Sequence, residues 1–165
     1  MRANPIHFAS VVLLLGCAGL SLFTPTAAAA NEQEGVPYDI GRSIAATHRA
    51  IVEVANSIQR ASSEKARAGL TELRKAVVRN RAARLALGKK HSAAAMYLTL
   101  EARRVASGTW RLLGLDTPYG KSVTEEEAAQ PANAGKEADE AITDAERLVP
   151  DVGELSKLLP EIDPE

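Results

Sequence analysis

Arg60, Arg67, Arg74 and Arg81 recur every seven residues, a spacing close to two helical turns. On the second helix the last three stand along one face, and Lys75, Arg79 and Arg84 broaden the stripe. Guanidinium groups are permanent cations whose planar donors match phosphate and carboxylate oxygens. Arg67, Arg74, Lys75, Arg79, Arg81 and Arg84 are therefore a candidate anion-binding set, and Arg103, Arg104 and Arg111 offer a second patch. An acidic set answers them: Glu137, Glu140 and Asp144 share one face of a later helical segment. That face can fold back on the stripe and compete with an external anion. The bland alternative is a solvated face flanking a coiled-coil seam.

Other chemistry is thinly supplied. Beyond the first thirty residues the histidines are His48 and His91, and neither lies three or four residues from another histidine. A metal site would have to be completed across helices, with Met96 or Glu101 as further ligands. Bundles that hold metals announce them with several inward carboxylates or an E-x-x-H pair, which this chain lacks. His48 and His91 are thus weak metal candidates, and no metal or cofactor is expected. The string from Gly114 to Ser122 resembles a phosphate-binding P-loop, but five residues separate its glycines instead of four. A helix also precedes it where a strand is needed. There is no G-x-S-x-G and no obvious Ser/His/carboxylate set. These absences point away from an enzyme.

The first thirty residues bear on location. Arg2 is their only charge, an apolar run spans Phe8 to Phe23, and four alanines follow Thr24-Pro25-Thr26. This is the pattern of a secretory signal peptide over residues 1–30, with cleavage after Ala29 or Ala30. Leu14-Leu15-Gly16-Cys17 also resembles a lipoprotein lipobox, which would leave Cys17 lipidated as an anchor. Bulky Leu15 and the apolar residues after Cys17 count against it. An uncleaved membrane anchor is a third reading, weakened by Pro25 and the alanines. The expected location is periplasmic or extracellular.

Cys17 is the only cysteine, so the chain beyond the leader cannot form disulfides or thiolate metal sites. Nor does that part contain phenylalanine; its aromatics are Tyr38, Tyr97, Trp110 and Tyr119. A core of Ala, Leu, Val and Ile favours closely packed helices. The net charge of −1 conceals an asymmetry. Residues 62–112 carry twelve Lys/Arg against three Glu, net +9, and residues 122–165 carry thirteen Asp/Glu against three Lys/Arg, net −10.

The elements that must position these groups are helical. After a polar lead-in over residues 31–37, Ile44, Ile51 and Ile58 repeat every seven residues, interleaved with Ile40, Thr47, Val54 and Ala61. That is a coiled-coil seam, capped by Asp39. Ser62 and Ser63 restart the chain into a second helix with Ala66, Leu70, Leu73 and Val77 on its apolar face. A strict heptad would then bury Asn80 and Arg84, so the face is expected to drift to Val78, Ala82 and Leu85. Gly88 is the expected C-cap. Ser92 caps a third helix with a stripe of Ala95, Leu98, Ala102, Val105, Thr109 and Leu112.

Residues 117–135 form a linker with one short helix, signalled by the capping-box spacing of Thr124 and Glu127. A fourth helix over 136–148 presents Ala138, Ala141, Ile142, Ala145 and Leu148. Val152, Leu155, Leu158, Leu159 and Ile162 suggest a docking turn. The predicted fold is all-α: an antiparallel helical bundle of three main helices over 38–116, with an acidic C-terminal helical appendage over 136–165.

The function expected from these features is that of an exported, non-enzymatic protein acting by protein–protein contact or self-association. The Ile seam is available to a second chain as well as to its own hairpin. Binding of anionic envelope ligands, such as lipid head groups or surface polymers, is the alternative, and a metal-binding bundle is third. Nucleic acid is not an expected partner, because the arginines lack interleaved aromatic residues. Membrane contact is expected only peripherally, or through lipidation of Cys17.

Overall fold

The computed structural model describes residues 38–158. The leader expected over residues 1–30, the alternative lipidation at Cys17, the polar lead-in over 31–37, and Leu159 and Ile162 lie outside the described residues. Within them the chain forms three long helices, α1 (Ile40–Gln59), α2 (Ser63–Gly88) and α3 (Ser92–Leu112). Three short ones follow: α4 (Glu125–Ala128), α5 (Lys136–Glu146) and α6 (Val152–Leu158). There is no strand among the described residues, and the protein is an all-α helical bundle. None of these helices is long and apolar enough to cross a membrane.

Helix α1 begins where Asp39 accepts the Arg42 N–H at 3.0 Å, the predicted cap. Its seam closes inward: Ile44, Thr47, Ile51, Val54 and Ile58 are all buried. Ile58, near the end of α1, packs with Leu73 of α2, with Trp110 of α3 and with Leu113 just past its end. Ile44, near its start, packs with Ala82, Ala83 and Ala86 of α2 and with Ala94 and Leu98 of α3. The three helices therefore run up, down and up. Each large aliphatic side chain buried this way contributes about 1.5–3 kcal/mol.

The two ends of the bundle are built differently. One cluster combines Ile51, Val54, Ile58, Leu73, Trp110 and Leu113. The other is lined mainly by alanines, from α2, α3 and α5. Small side chains let helices approach closely, and Ala138, Ala141 and Ala145 use this to seat α5 on α2 and α3. The acidic tail is thus a packed layer of the bundle.

Several predicted positions shift by a residue. Leu112 is 42% exposed, while Leu113 is buried. A straight helix drifts away from a heptad repeat, so Ala102, Ala106, Thr109, Trp110 and Leu113 line the inner face of α3. Leu148 is likewise exposed and Val149 buried, because α5 ends at Glu146 and the next turn starts a new register. Asn80 is buried, contrary to the predicted drift, whereas Arg84 stays exposed. The reason is that α2 is covered on two sides. Gly69, Leu73, Ala76, Asn80 and Ala83 form one buried row, and Val78, Ala82 and Ala86 a second.

The joint between α2 and α3 also departs from expectation. Gly88 remains helical, and Lys90 takes the left-handed conformation at φ 64°. The His91 N–H bonds the Ala86 carbonyl and the Lys90 N–H the Leu87 carbonyl, both at 2.9 Å, which is a Schellman cap. The N-cap of α3 is His91 instead of Ser92, and its side chain makes no capping bond. At the other end of α3 the same cap recurs with Gly114 at φ 80°.

Candidate functional site

The densest polar construction lies where the linker crosses α1 and α3. Arg103, on α3, is 3% exposed, so the predicted patch of Arg103, Arg104 and Arg111 is not a surface unit. Its Nη1 donates to Glu127 Oε2 at 2.5 Å, and its Nε to Thr47 Oγ1 at 3.0 Å. Its Nη2 donates to the Ser43 carbonyl at 2.7 Å and to Ser43 Oγ at 3.1 Å. Glu127, 4% exposed, also accepts from Ser43 Oγ at 2.7 Å and from the Thr124 N–H at 3.0 Å. Thr124 in turn accepts the Glu127 N–H at 3.1 Å, completing the predicted capping box. Thr99 Oγ1 donates to Thr47 Oγ1 at 2.9 Å.

Burial alone disfavours the Glu127 carboxylate. The Thr124 N–H, the Ser43 hydroxyl and Arg103 outweigh that cost and hold its pKa below the ordinary 4.5. Burial and the Glu127 charge raise the Tyr38 phenol above 10.0. A carboxylate so fully engaged by donors is a poor general base. Its chemistry is that of a latch, which fixes the linker to the bundle. The capping-box spacing identifies Glu127 as a local helix cap but does not show its ion pair with Arg103. The signal was present in Ser43, Thr47 and Thr99, three polar residues at positions the helical period buries.

The predicted arginine set does not act as one surface. At about 100° per residue, Arg67, Arg74 and Arg81 stay within a narrow stripe, while Lys75 and Arg79 turn to one side and Arg84 to the other. Arg74 is half-buried and donates from Nε to the Pro150 carbonyl at 2.9 Å, tying down the tail. Lys75 pairs with Glu72 at 2.6 Å, and Arg79 bonds the Lys75 carbonyl at 3.3 Å. Arg67 and Arg81 are exposed, with no carboxylate in ion-pair range among the described residues. Of the acidic set, Asp144 reaches Lys89 at 3.0 Å, and Glu140 pairs with Lys136 on its own helix. Glu137 is exposed beside His91 in a shallow depression that also includes Asn133.

His48 and His91 are not brought together. His48 lies in a groove of about 360 Å³ between α1 and α2, lined also by Ala45, Arg49, Val52, Glu53, Asn56 and Arg84. Burial first, then the Arg84 and Arg49 charges, lower its pKa from 6.5. No group of three or more His, Cys, Asp or Glu residues is placed to hold a metal ion among the described residues. Arg49 also borders a second, more polar cleft of about 560 Å³ above the latch, beside Arg42, Tyr38 and Glu126.

Set against protein-family models, curated proteins and solved structures, the chain has no significant match in any of the three comparisons.

Proposed function

We propose that this chain is an exported, non-catalytic binding protein whose outward arginines take anionic ligands of the cell envelope. One observation carries the reading. The acidic tail packs on α2 through alanines and Val149, yet it leaves Arg67 and Arg81 exposed and without carboxylate partners among the described residues. If α5 and α6 served to neutralise the stripe, their carboxylates would lie against it. Self-association through the Ile seam loses support, since that seam is buried against the chain's own α2 and α3. Contact with a protein partner remains the second reading. It is favoured by the exposed Leu112 at the end of α3 and the exposed Leu115 and Tyr119 in the connection that follows.

The test is co-sedimentation with phosphatidylglycerol vesicles and with phosphatidylcholine vesicles. The protein is expected to bind the anionic vesicles, and binding should weaken between about 50 and 500 mM salt as screening shortens. The double variant Arg67→Glu/Arg81→Glu should bind at least about tenfold more weakly. Equal binding to neutral vesicles, or no effect of the reversal, would overturn the reading.

A further inference from the structure

We propose that the groove between α1 and α2 is a binding site for a phosphate group, gripped by Arg49 and Arg84 with His48 alongside. It rests on the anion-binding reading above but uses a different face of α2. The charge balance points to it. Glu53, the carboxylate lining the groove, is paired with Lys121 at 2.6 Å from the α3–α4 connection. Arg49 and Arg84 have no carboxylate in ion-pair range among the described residues. Two uncompensated guanidiniums therefore face one concave space, against an apolar wall of Ala45 and Val52. A volume of about 360 Å³ holds a phosphate with a small organic body. Guanidinium pairs grip such an anion through charge-assisted, bidentate hydrogen bonds.

His48 makes the site responsive to pH. The charged groups around it are Arg49 and Glu53 from α1 and Arg84 from α2, with Lys121 acting through Glu53. In the empty groove, burial and the arginines hold the imidazole neutral. A bound phosphate offsets the two guanidinium charges and can accept a hydrogen bond from the protonated ring, which favours imidazolium, so binding and protonation reinforce each other by linkage.

The experiment is an NMR titration of the His48 ring protons against pH, with His91 as the internal reference. The probes are inorganic phosphate and, separately, phosphatidic acid vesicles. The His48 pKa should rise by about one unit with the probe bound, equivalent to about tenfold preference for the protonated form. A shift with free phosphate assigns the site to soluble phosphates. A shift with vesicles alone assigns it to a lipid head group. Arg84→Ala should weaken phosphate binding about tenfold or more, while vesicle binding through Arg67 and Arg81 persists. Loss of vesicle binding in Arg67→Glu/Arg81→Glu with an unchanged His48 response separates the two surfaces in the other direction. No His48 shift with either probe, or an undiminished shift in Arg84→Ala, would overturn the proposal.

Discussion

Arg103 and Arg84 are the same side chain put to opposite uses. Arg103 is buried, meets a carboxylate and two hydroxyl-bearing residues, and belongs to a network whose donors and acceptors are matched. Arg84 is exposed, shares its groove with another arginine and a histidine, and has no carboxylate partner among the described residues. The first arrangement has spent its hydrogen-bonding capacity on holding the linker. The second keeps that capacity for something outside the chain. The contrast also explains why net charge misleads here. Among the described residues, the acidic segment supplies one carboxylate to a buried arginine and none to Arg67, Arg81 or Arg84.

The largest expected effect comes from breaking the latch. Glu127→Ala strands a buried guanidinium and should lower the unfolding free energy by about 3–5 kcal/mol in urea titration. The double variant Arg103→Met/Glu127→Leu removes both charges and should recover most of the loss, because a buried pair contributes position more than net stability. A double variant as unstable as the single one would show that the polar network itself supplies the energy.

Acidity probes the same contrast. The folded pKa of Glu127 is depressed, so its contribution is present above the ordinary 4.5 and is lost as pH falls through the folded value. Glu127→Gln should therefore be less stable than the wild type near neutrality, and the gap should close on acidification. The folded pKa of His48 is lowered too, so the unfolded chain takes up that proton first. Stability should already begin to fall below about pH 6.5 in the wild type and in Glu127→Gln alike, but not in His48→Gln. Urea midpoints measured across pH 3–8 check both windows.

Two smaller effects sharpen the division. Arg84→Ala, at an exposed position without a partner carboxylate among the described residues, should change stability by no more than about 0.5 kcal/mol. Lys90→Gly relieves a left-handed lysine at a Schellman cap and should stabilise by about 0.5–1 kcal/mol without altering the His48 response to phosphate. Thermal or urea unfolding reads both.

How far the sequence foretold this depends on which distance carried the information. The Ile44–Ile51–Ile58 seam, the Asp39 cap and the Thr124–Glu127 capping box depend on neighbours within a turn or two, and all three were legible. Arg103 was not, because its fate depends on a linker segment 24 residues away in the chain. A charge on a helix has no local mark that says whether a carboxylate will arrive to cover it. Asn80 was missed for a related reason: helical period predicts one buried face, while α2 has two because α5 covers the second. Leu112 and Leu148 failed by one residue each, through heptad drift and an early helix end. The groove at His48 was not legible, since the sequence marks His48 only as a weak metal candidate. The histidine beside the seam could be seen, but its pairing with Arg84 needed the packing of α1 on α2.

The central claim is that the latch is structural and the α1–α2 groove is open for a phosphate. Urea unfolding of wild type and Arg84→Ala, with and without inorganic phosphate at matched ionic strength, tests it most directly. A ligand that binds only the folded state raises its stability with the logarithm of its concentration once that exceeds Kd. The two proteins should unfold at the same midpoint without phosphate, and only the wild type should be stabilised by it beyond the general salt effect. Equal stabilisation of both proteins, or an Arg84→Ala midpoint that collapses as far as that of Glu127→Ala, would contradict the account.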